Sequence, residues 1–85
     1  MIKLICIKNY ISVPYNKNYS LKKDNIYYIE QRDIIYFSLE KSRNLFNIYY
    51  INESGQFSSA GVINKKYLVP LQKFREDRIN AILND

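Results

Sequence analysis

A β-hairpin signal in residues 45–63 places the strongest constraint on how this chain folds. Residues 45–51 and 57–63 are runs of largely β-branched and aromatic residues, and a short polar segment with one glycine joins them. This pattern is typical of two antiparallel strands connected by a tight turn. Gly55 suits the left-handed position that closes such a turn. The sequence therefore predicts a mainly β fold built on this hairpin.

The size and composition of the chain fit one small domain with an apolar core. It has 85 residues, 47% of them hydrophobic, with a single cysteine and no histidine. No apolar run reaches the roughly 20 residues that span a bilayer, and residues 1–8 are too short for a signal peptide. A lone cysteine forms no internal disulfide, which agrees with a reducing compartment. We therefore expect a cytoplasmic protein without a membrane segment.

Cys6 has two interpretations, a redox or metal-binding thiol and a small buried hydrophobic residue. A metal site needs further ligands, and the sequence has no second cysteine and no histidine to share a metal with it. We therefore expect Cys6 to be a buried core residue.

Further segments complete the predicted fold. Residues 26–39 resemble one long strand bent at residues 31–33 by a bulge, and residues 68–70 resemble a closing edge strand because Pro70 suits an edge. The predicted strands are residues 2–7, 26–39, 45–51, 57–63 and 68–70, followed by a helix at residues 72–84. The predicted core is Leu4, Cys6, Leu21, Tyr27, Ile29, Tyr49, Ile51, Val62 and Leu68. Residues 1–71 form the β part and residues 72–85 the helical part of a single domain.

Four short segments carry a resemblance to a known family. They are Leu-x-Cys-Ile-x-Asn at residues 4–9, Leu-x-x-Asp-x-x-Tyr at residues 21–27, Tyr-x-Ile-x-x-x-Gly at residues 49–55, and a basic turn with a large apolar residue at residues 64–68. In this order they resemble the opening strand, the Leu-x-x-Gly-Lys-x-Tyr segment, the Tyr-x-Ile-x-Asp-x-Gly-like hairpin and the closing basic turn of small SH3-like barrel proteins of phages and prophages in low-GC bacteria. Asp24 takes the place of the usual glycine in the second segment.

The resemblance covers roughly residues 3–69. It implies a small SH3-like five-strand barrel, here with an additional C-terminal α-helix. It also implies a protein encoded by a phage or mobile element and acting in the host cytoplasm.

The residue types that catalysis at neutral pH most often uses are missing or badly spaced. Histidine, the commonest general acid or base, is absent. Glu76 and Asp77 are adjacent on the predicted helix, so their carboxylates point apart. Gly55 and Gly61 lack the spacing of a phosphate-binding loop, and no zinc or calcium spacing occurs. We expect no enzymatic activity, no cofactor and no metal site.

The first functional hypothesis is a protein-binding module, and the resemblance suggests inhibition of a host protein such as a defence-system component. Tyrosines in the polar loop of residues 9–20 suit recognition, although they could also fold back as a lid on the barrel. Residues 45–51 are apolar on both faces, so either the helix covers the second face or that face binds a partner or a second copy. The candidate contact residues are Tyr10, Tyr15, Tyr19, Tyr28, Phe46, Ile48 and Tyr50.

The second hypothesis is nucleic-acid binding, since the net charge is +5 and lysines lie near tyrosines. The candidate residues are Lys17, Lys22, Lys23, Lys65, Lys66, Arg75 and Arg78. Acidic residues interrupt both basic groups, which favours an ordinary solvated surface, and we expect no tight binding of oligonucleotides. A third hypothesis is a structural component of a phage assembly.

Overall fold

A single antiparallel sheet organises the chain. The computed structural model describes residues 1–10 and 20–83, with side chains described up to residue 79. The elements are β1 (Ile2–Cys6), β2 (Ile26–Ile29), α1 (Ile34–Ser38), β3 (Leu45–Ile51), β4 (Phe57–Asn64), β5 (Leu68–Pro70) and α2 (Leu71–Leu83). The strand order across the sheet is β4-β3-β2-β1-β5. The predicted mainly β fold, with five strands and a C-terminal helix, is confirmed at this level.

The hairpin of β3 and β4 has the turn that its sequence predicts. Gly55 has a φ of +78°, in the left-handed region that glycine adopts without strain. The Asn52 side-chain oxygen accepts hydrogen bonds from the backbone N–H groups of Ser54 and Gln56, at 2.9 and 3.0 Å. The Asn52 N–H donates to the carbonyl oxygen of Gln56 at 2.8 Å. Asn52 therefore organises the turn, and Gly55 closes it.

A β-bulge interrupts the hairpin near its middle. Ile48 lies opposite Gly61, but the next residue, Tyr49, lies opposite Ser59, so Ala60 is an extra residue in β4. Gly61 has a φ of +99°, which a residue with a side chain rarely adopts. Extra residues of this kind bend the strand and increase its twist. The bulge also lets both Ala60 and Gly61 be buried.

Most of the predicted core is confirmed. The buried residues of the main hydrophobic cluster include six of the predicted ones: Leu4, Cys6, Leu21, Tyr27, Ile29 and Leu68. The Cys6 side chain is fully buried, so its interpretation as a small core residue is confirmed.

The predicted orientation of β3 is wrong. Phe46 and Ile48, expected to face outward, are only 1% and 0% exposed. Ile51 and Val62, expected in the core, are 47% and 58% exposed, and Tyr49 is half-buried. The reason is polar chemistry on the second face, because Tyr49 shares that face with an exposed Asn47 and burying an unpaired amide costs free energy.

The predicted long bent strand is also wrong, because β2 ends at Ile29. A 3-10 turn at Gln31–Asp33 takes the place of the expected bulge, and α1 follows it directly. In α1, Ile34 packs against the core and Phe37 is buried, three residues apart as on one side of a helix. The ring of Phe37 packs edge-on against that of Phe46, with centroids 5.3 Å apart. This contact connects α1 to the central hairpin.

The C-terminal helix α2 packs against β1 and β5. The prediction of a helix here is confirmed, and it begins one residue earlier than expected, at Leu71. The outward residues Leu45 and Ile51 of β3 stay 55% and 47% exposed. The interpretation that this helix covers the second face of β3 is therefore wrong. Among residues 1–10 and 20–83, no helix is both long and apolar enough to span a bilayer.

The same substitution should lower the free energy of unfolding by different amounts on the two faces of β3. Ile48→Ala should lower the free energy of unfolding by roughly 2–5 kcal/mol, because it leaves a cavity in the core. Ile51→Ala, on the exposed face, should cost less than about 1 kcal/mol. Urea denaturation of both variants measures the difference. Equal losses would contradict the assignment of the core face.

Candidate functional site: the cleft between β2 and β3

A cleft opens beside the junction of β2 and β3. Tyr28 lies opposite Tyr49, and this is the one register pair that joins the two strands within the described part of the chain. Beyond this pair, towards Ile26 and Ile51, a cleft of about 410 Å³ lies between the strands. Its lining residues are Ser20, Asn25, Ile26, Tyr27, Tyr28, Tyr50, Ile51 and Ala60.

The rim of the cleft is aromatic and exposed. The ring of Tyr28 packs edge-on against that of Phe57, with centroids 5.1 Å apart. Tyr50, Ile51 and Phe57 are 38%, 47% and 48% exposed. Neighbouring large apolar side chains that stay in water are typical of surfaces that contact another molecule. The two tyrosines add hydroxyl groups that can form hydrogen bonds at the edge of such a contact.

A polar network supports the strand junction behind the cleft. The Tyr49 hydroxyl donates a hydrogen bond to Glu30 Oε1 at 2.9 Å, and Arg32 Nε lies 2.5 Å from Glu30 Oε2. The hydrogen bond to the Glu30 carboxylate raises the pKa of Tyr49, and burial raises it further. The neutral phenol is therefore the favoured form in the folded state. Tyr49 holds the residue after β2 against β3 and so helps to position Tyr28.

A second aromatic cluster lies where the loop after β1 begins. The rings of Tyr10 and Tyr67 pack with centroids 4.9 Å apart, and Lys66 Nζ is 5.2 Å from the Tyr67 ring centroid. Tyr10 and Leu21 exchange two backbone hydrogen bonds of 2.9 and 2.8 Å. Both tyrosines are half-buried, whereas Tyr50, Ile51 and Phe57 beside the cleft are exposed.

The structure brings some of the predicted contact residues together and separates others. Tyr28 and Tyr50 meet in the cleft, whereas Tyr10 packs against Tyr67 and the 3-10 turn. Phe46 and Ile48 were also predicted contact residues, and this prediction is wrong because both are buried in the core. Tyr15, Tyr19 and Lys17 lie outside the described residues.

Three exposed apolar residues of the cleft and its rim were not among the predicted contact residues: Ile26, Ile51 and Phe57. Ile51 lies opposite Phe57 at the end of the hairpin. An apolar pair beside the polar turn at residues 52–56 was the signal that could have indicated an exposed patch.

The basic residues form separate groups. Lys22 and Lys23 are exposed in the turn before β2, next to Asp24, and the Lys23 N–H donates to Asn9 Oδ1 at 2.8 Å. Lys65, Lys66 and Lys73 line a groove of about 370 Å³ on another part of the molecule.

The two arginines lie elsewhere on α2. Arg75 borders a larger groove of about 780 Å³ between α2 and the N-terminal end of β1. The Arg78 guanidinium carbon lies 5.6 Å from the Phe74 ring centroid. The predicted basic residues therefore do not form one continuous surface.

The surroundings of the Cys6 thiol favour a structural role for this residue. Cys6 Sγ donates a hydrogen bond to the Lys8 carbonyl oxygen at 2.8 Å, and burial raises the pKa of the thiol. A raised pKa keeps the sulfur protonated, and the protonated form is a poor nucleophile and a poor metal ligand. In the residues that the structure describes, no group of three or more metal-ligating side chains lies together.

The Tyr49–Glu30 hydrogen bond predicts a pH-dependent loss of stability. Because the folded-state pKa of Tyr49 is raised, its stabilising effect is present below the unfolded value of about 10 and disappears as the pH rises through the folded value. Tyr49→Phe should lower the free energy of unfolding by roughly 1 kcal/mol at neutral pH. The stability of this variant should also fall less steeply than that of the wild type as the pH rises above about 10. Urea denaturation across a pH series measures both. If the wild type and Tyr49→Phe lose stability in parallel across the pH series, the Tyr49–Glu30 hydrogen bond does not cause the alkaline loss.

Within the described residues, the cleft has the most exposed aromatic side chains, and the lysine groove has the densest group of positive charges. Comparisons of this chain with protein-family models, with curated proteins and with solved structures found no match. The function is therefore inferred from the residues and the geometry of these surfaces.

Proposed function

We propose that this chain is a small, non-catalytic module that binds a protein partner through the cleft between β2 and β3. The observation that carries the proposal is the exposure of Tyr50, Ile51 and Phe57 beside the half-buried Tyr28. Tyrosine and phenylalanine offer a large contact area at a small cost in side-chain entropy, and aromatic residues are enriched at protein interfaces. The cleft gives a partner side chain a place to enter between these residues.

Several features of the sheet support an SH3-like barrel. β1 lies between β2 and β5, a long segment connects β1 to β2, and a 3-10 turn at Lys65–Tyr67 leads directly from β4 into β5. The motifs at residues 4–9, 21–27 and 49–55 also support an SH3-like barrel. Closure of the sheet into a barrel through its twist is part of this proposal. A fold of this kind carries many functions, so the binding activity rests on the cleft.

The proposed partner is a host protein, bound and inhibited in the host cytoplasm by a protein that a phage or mobile element encodes. A component of a host defence system is one such target. The resemblance of the motifs to phage-type barrels supports this step.

Nucleic-acid binding is the second candidate function, and one observation favours it. Lys65, Lys66 and Lys73 line a single groove, and no aspartate or glutamate is among its lining residues. Lysine side chains grouped in this way can neutralise backbone phosphates. The buried Phe37 and Leu68 form the floor of the groove, so exposed rings on which bases could stack are missing from that lining. This difference ranks nucleic acid below a protein partner.

The protein-binding proposal predicts that the binding of a partner depends on the residues of the cleft. The immobilised chain should retain one or more proteins from a lysate of a low-GC bacterium, and the double variant Tyr50→Ala/Phe57→Ala should lose them. Both residues are exposed, so the double variant should fold, with a small loss of stability. Mass spectrometry of the retained proteins is the measurement.

The control for this experiment is Ile35→Ala/Tyr36→Ala, which removes two large exposed side chains from α1. It should retain the same proteins as the wild type. If the cleft variant still retains these proteins, or if both variants lose them, the cleft is rejected as the binding surface.

Salt dependence distinguishes the nucleic-acid candidate. A groove that neutralises phosphates predicts oligonucleotide binding that weakens steeply with salt, with a slope that falls by about two units in Lys66→Gln/Lys73→Gln. Lys22→Gln/Lys23→Gln is the control with the same change of charge and should leave the slope unchanged. Fluorescence titrations of DNA and RNA oligonucleotides at several salt concentrations measure the slopes. Weak binding throughout would reject this candidate and agree with a protein partner.

A further inference from the structure

Two grooves adjoin at the start of α2. The lysine groove, lined by Lys65, Lys66 and Lys73, has a volume of about 370 Å³. The aliphatic groove, between α2 and the N-terminal end of β1, has a volume of about 780 Å³. Ser38, Pro70 and Lys73 line both of them. The two grooves therefore share a boundary, and one ligand can extend across it.

The aliphatic groove brings apolar side chains of several elements together. The apolar residues in its lining are Met1, Ile2, Ile34, Pro70, Leu71 and Ile79. Met1 and Ile79 are 46% and 55% exposed, so the chain itself leaves much of this apolar surface in water. Exposed apolar patches with a polar rim are typical of surfaces that contact another molecule. The groove thus suits the apolar side chains of a ligand.

The charge along the two grooves is mainly positive. Their cationic residues are Lys3, Lys65, Lys66, Lys73 and Arg75, and Glu76 is the one acidic residue among the described residues that line them. Ion pairs within residues 1–10 and 20–79 occur at Arg32–Glu30 and Arg43–Asp33, so none of these cations is paired with a described carboxylate. Lys65 Nζ donates to the Leu39 carbonyl oxygen at 2.7 Å, whereas Lys66 and Lys73 are exposed. Unneutralised positive charge therefore borders an aliphatic surface.

From these grooves we infer a second binding site, which docks an acidic, amphipathic segment of a protein. Carboxylates of the segment pair with Lys66 and Lys73, and its aliphatic side chains pack against Ile79 in the aliphatic groove. Charge complementarity favours this occupant, because a chain with a net charge of +5 attracts an acidic segment and repels a second copy of itself. The site shares no lining residue with the cleft between β2 and β3, so the inference does not rest on the proposed function.

The aliphatic groove distinguishes an acidic peptide from a nucleic acid as the ligand. A nucleic-acid strand presents phosphates along its whole length, and its bases stack on aromatic rings. The described lining of the aliphatic groove has no aromatic ring, and Glu76 there repels phosphate. An amphipathic peptide instead carries its charged and its apolar side chains on separate parts of its surface and lays the apolar part into a groove. That division matches the two adjoining grooves.

Fluorescence anisotropy with labelled synthetic peptides tests this site. The probes join a run of glutamates to a run of leucines through glycine linkers of several lengths. The matched peptides replace either the glutamates or the leucines by serine. The wild type should bind at least one of the joined probes, and each of its serine-substituted counterparts should bind about tenfold more weakly, because each has lost one of the two kinds of contact.

Variants of the chain locate the bound probe. Lys66→Gln/Lys73→Gln removes charge from the lysine groove, and Ile79→Ser removes an apolar side chain from the aliphatic groove. Each variant should bind the best joined probe about tenfold more weakly than the wild type. The affinity of the lysine variant should also depend less on salt concentration, because fewer charges take part in its binding. Far-UV circular dichroism checks that each variant is folded.

The controls make similar changes outside both grooves. Lys22→Gln/Lys23→Gln removes the same charge from the turn before β2, and Ile35→Ser removes the same side chain from an exposed position on α1. Both should bind the probe like the wild type. Tyr50→Ala/Phe57→Ala should also bind it normally, so a failure of the cleft proposal and a failure of this inference give different results.

Other classes of ligand are tested in the same assay. A single-stranded oligonucleotide and vesicles of phosphatidylglycerol should each bind more weakly than the best joined peptide. Failure of every joined probe to bind, normal binding by Ile79→Ser, or tighter binding of the oligonucleotide or the vesicles that is lost in Lys66→Gln/Lys73→Gln would each overturn the inference.

Discussion

The packing of Phe46 against Phe37 of α1 is the interaction on which the rest of the structure depends. The Phe37 ring packs against Phe46, and Ile48 is completely buried in the same cluster. A strand has only two faces, so this choice places Tyr49 and Ile51 on the outside of the sheet. The exposure of Ile51, and of Phe57 opposite it, is thus a consequence of how the core is packed.

Local patterns in the sequence were sufficient for the elements whose structure is determined by near neighbours. The turn around Gly55 follows from one left-handed glycine and a polar segment, and the 3-10 turn at Lys65–Tyr67 is capped by the Asn64 side chain, which accepts from the Lys66 N–H. The C-terminal helix follows from the spacing of its apolar residues. In each case the determining contacts lie within a few residues along the chain.

The face of β3 and the helix α1 depend on contacts between distant residues. β3 is apolar on both faces, so alternation alone could not identify the buried one, although Asn47 on the outer face was a usable signal. The sequence of α1, Ile-Ile-Tyr-Phe-Ser, suits a strand or a helix, and the contact with Phe46 decides for the helix. Of the candidate site, Tyr28 and Tyr50 were predicted, but their meeting in one cleft depends on the divergence of β2 and β3.

The backbone bridge between Tyr10 and Leu21 has a consequence for the free energy of this part of the fold. Its two hydrogen bonds join backbone groups, so the alignment of Tyr10 with Leu21 does not depend on the side chains of these two residues. The entropy of closing a loop grows slowly, by about 0.6 kcal/mol for each doubling of its length. A bridge of this kind therefore holds two points of a chain together at a cost in free energy that depends only weakly on the number of residues between them.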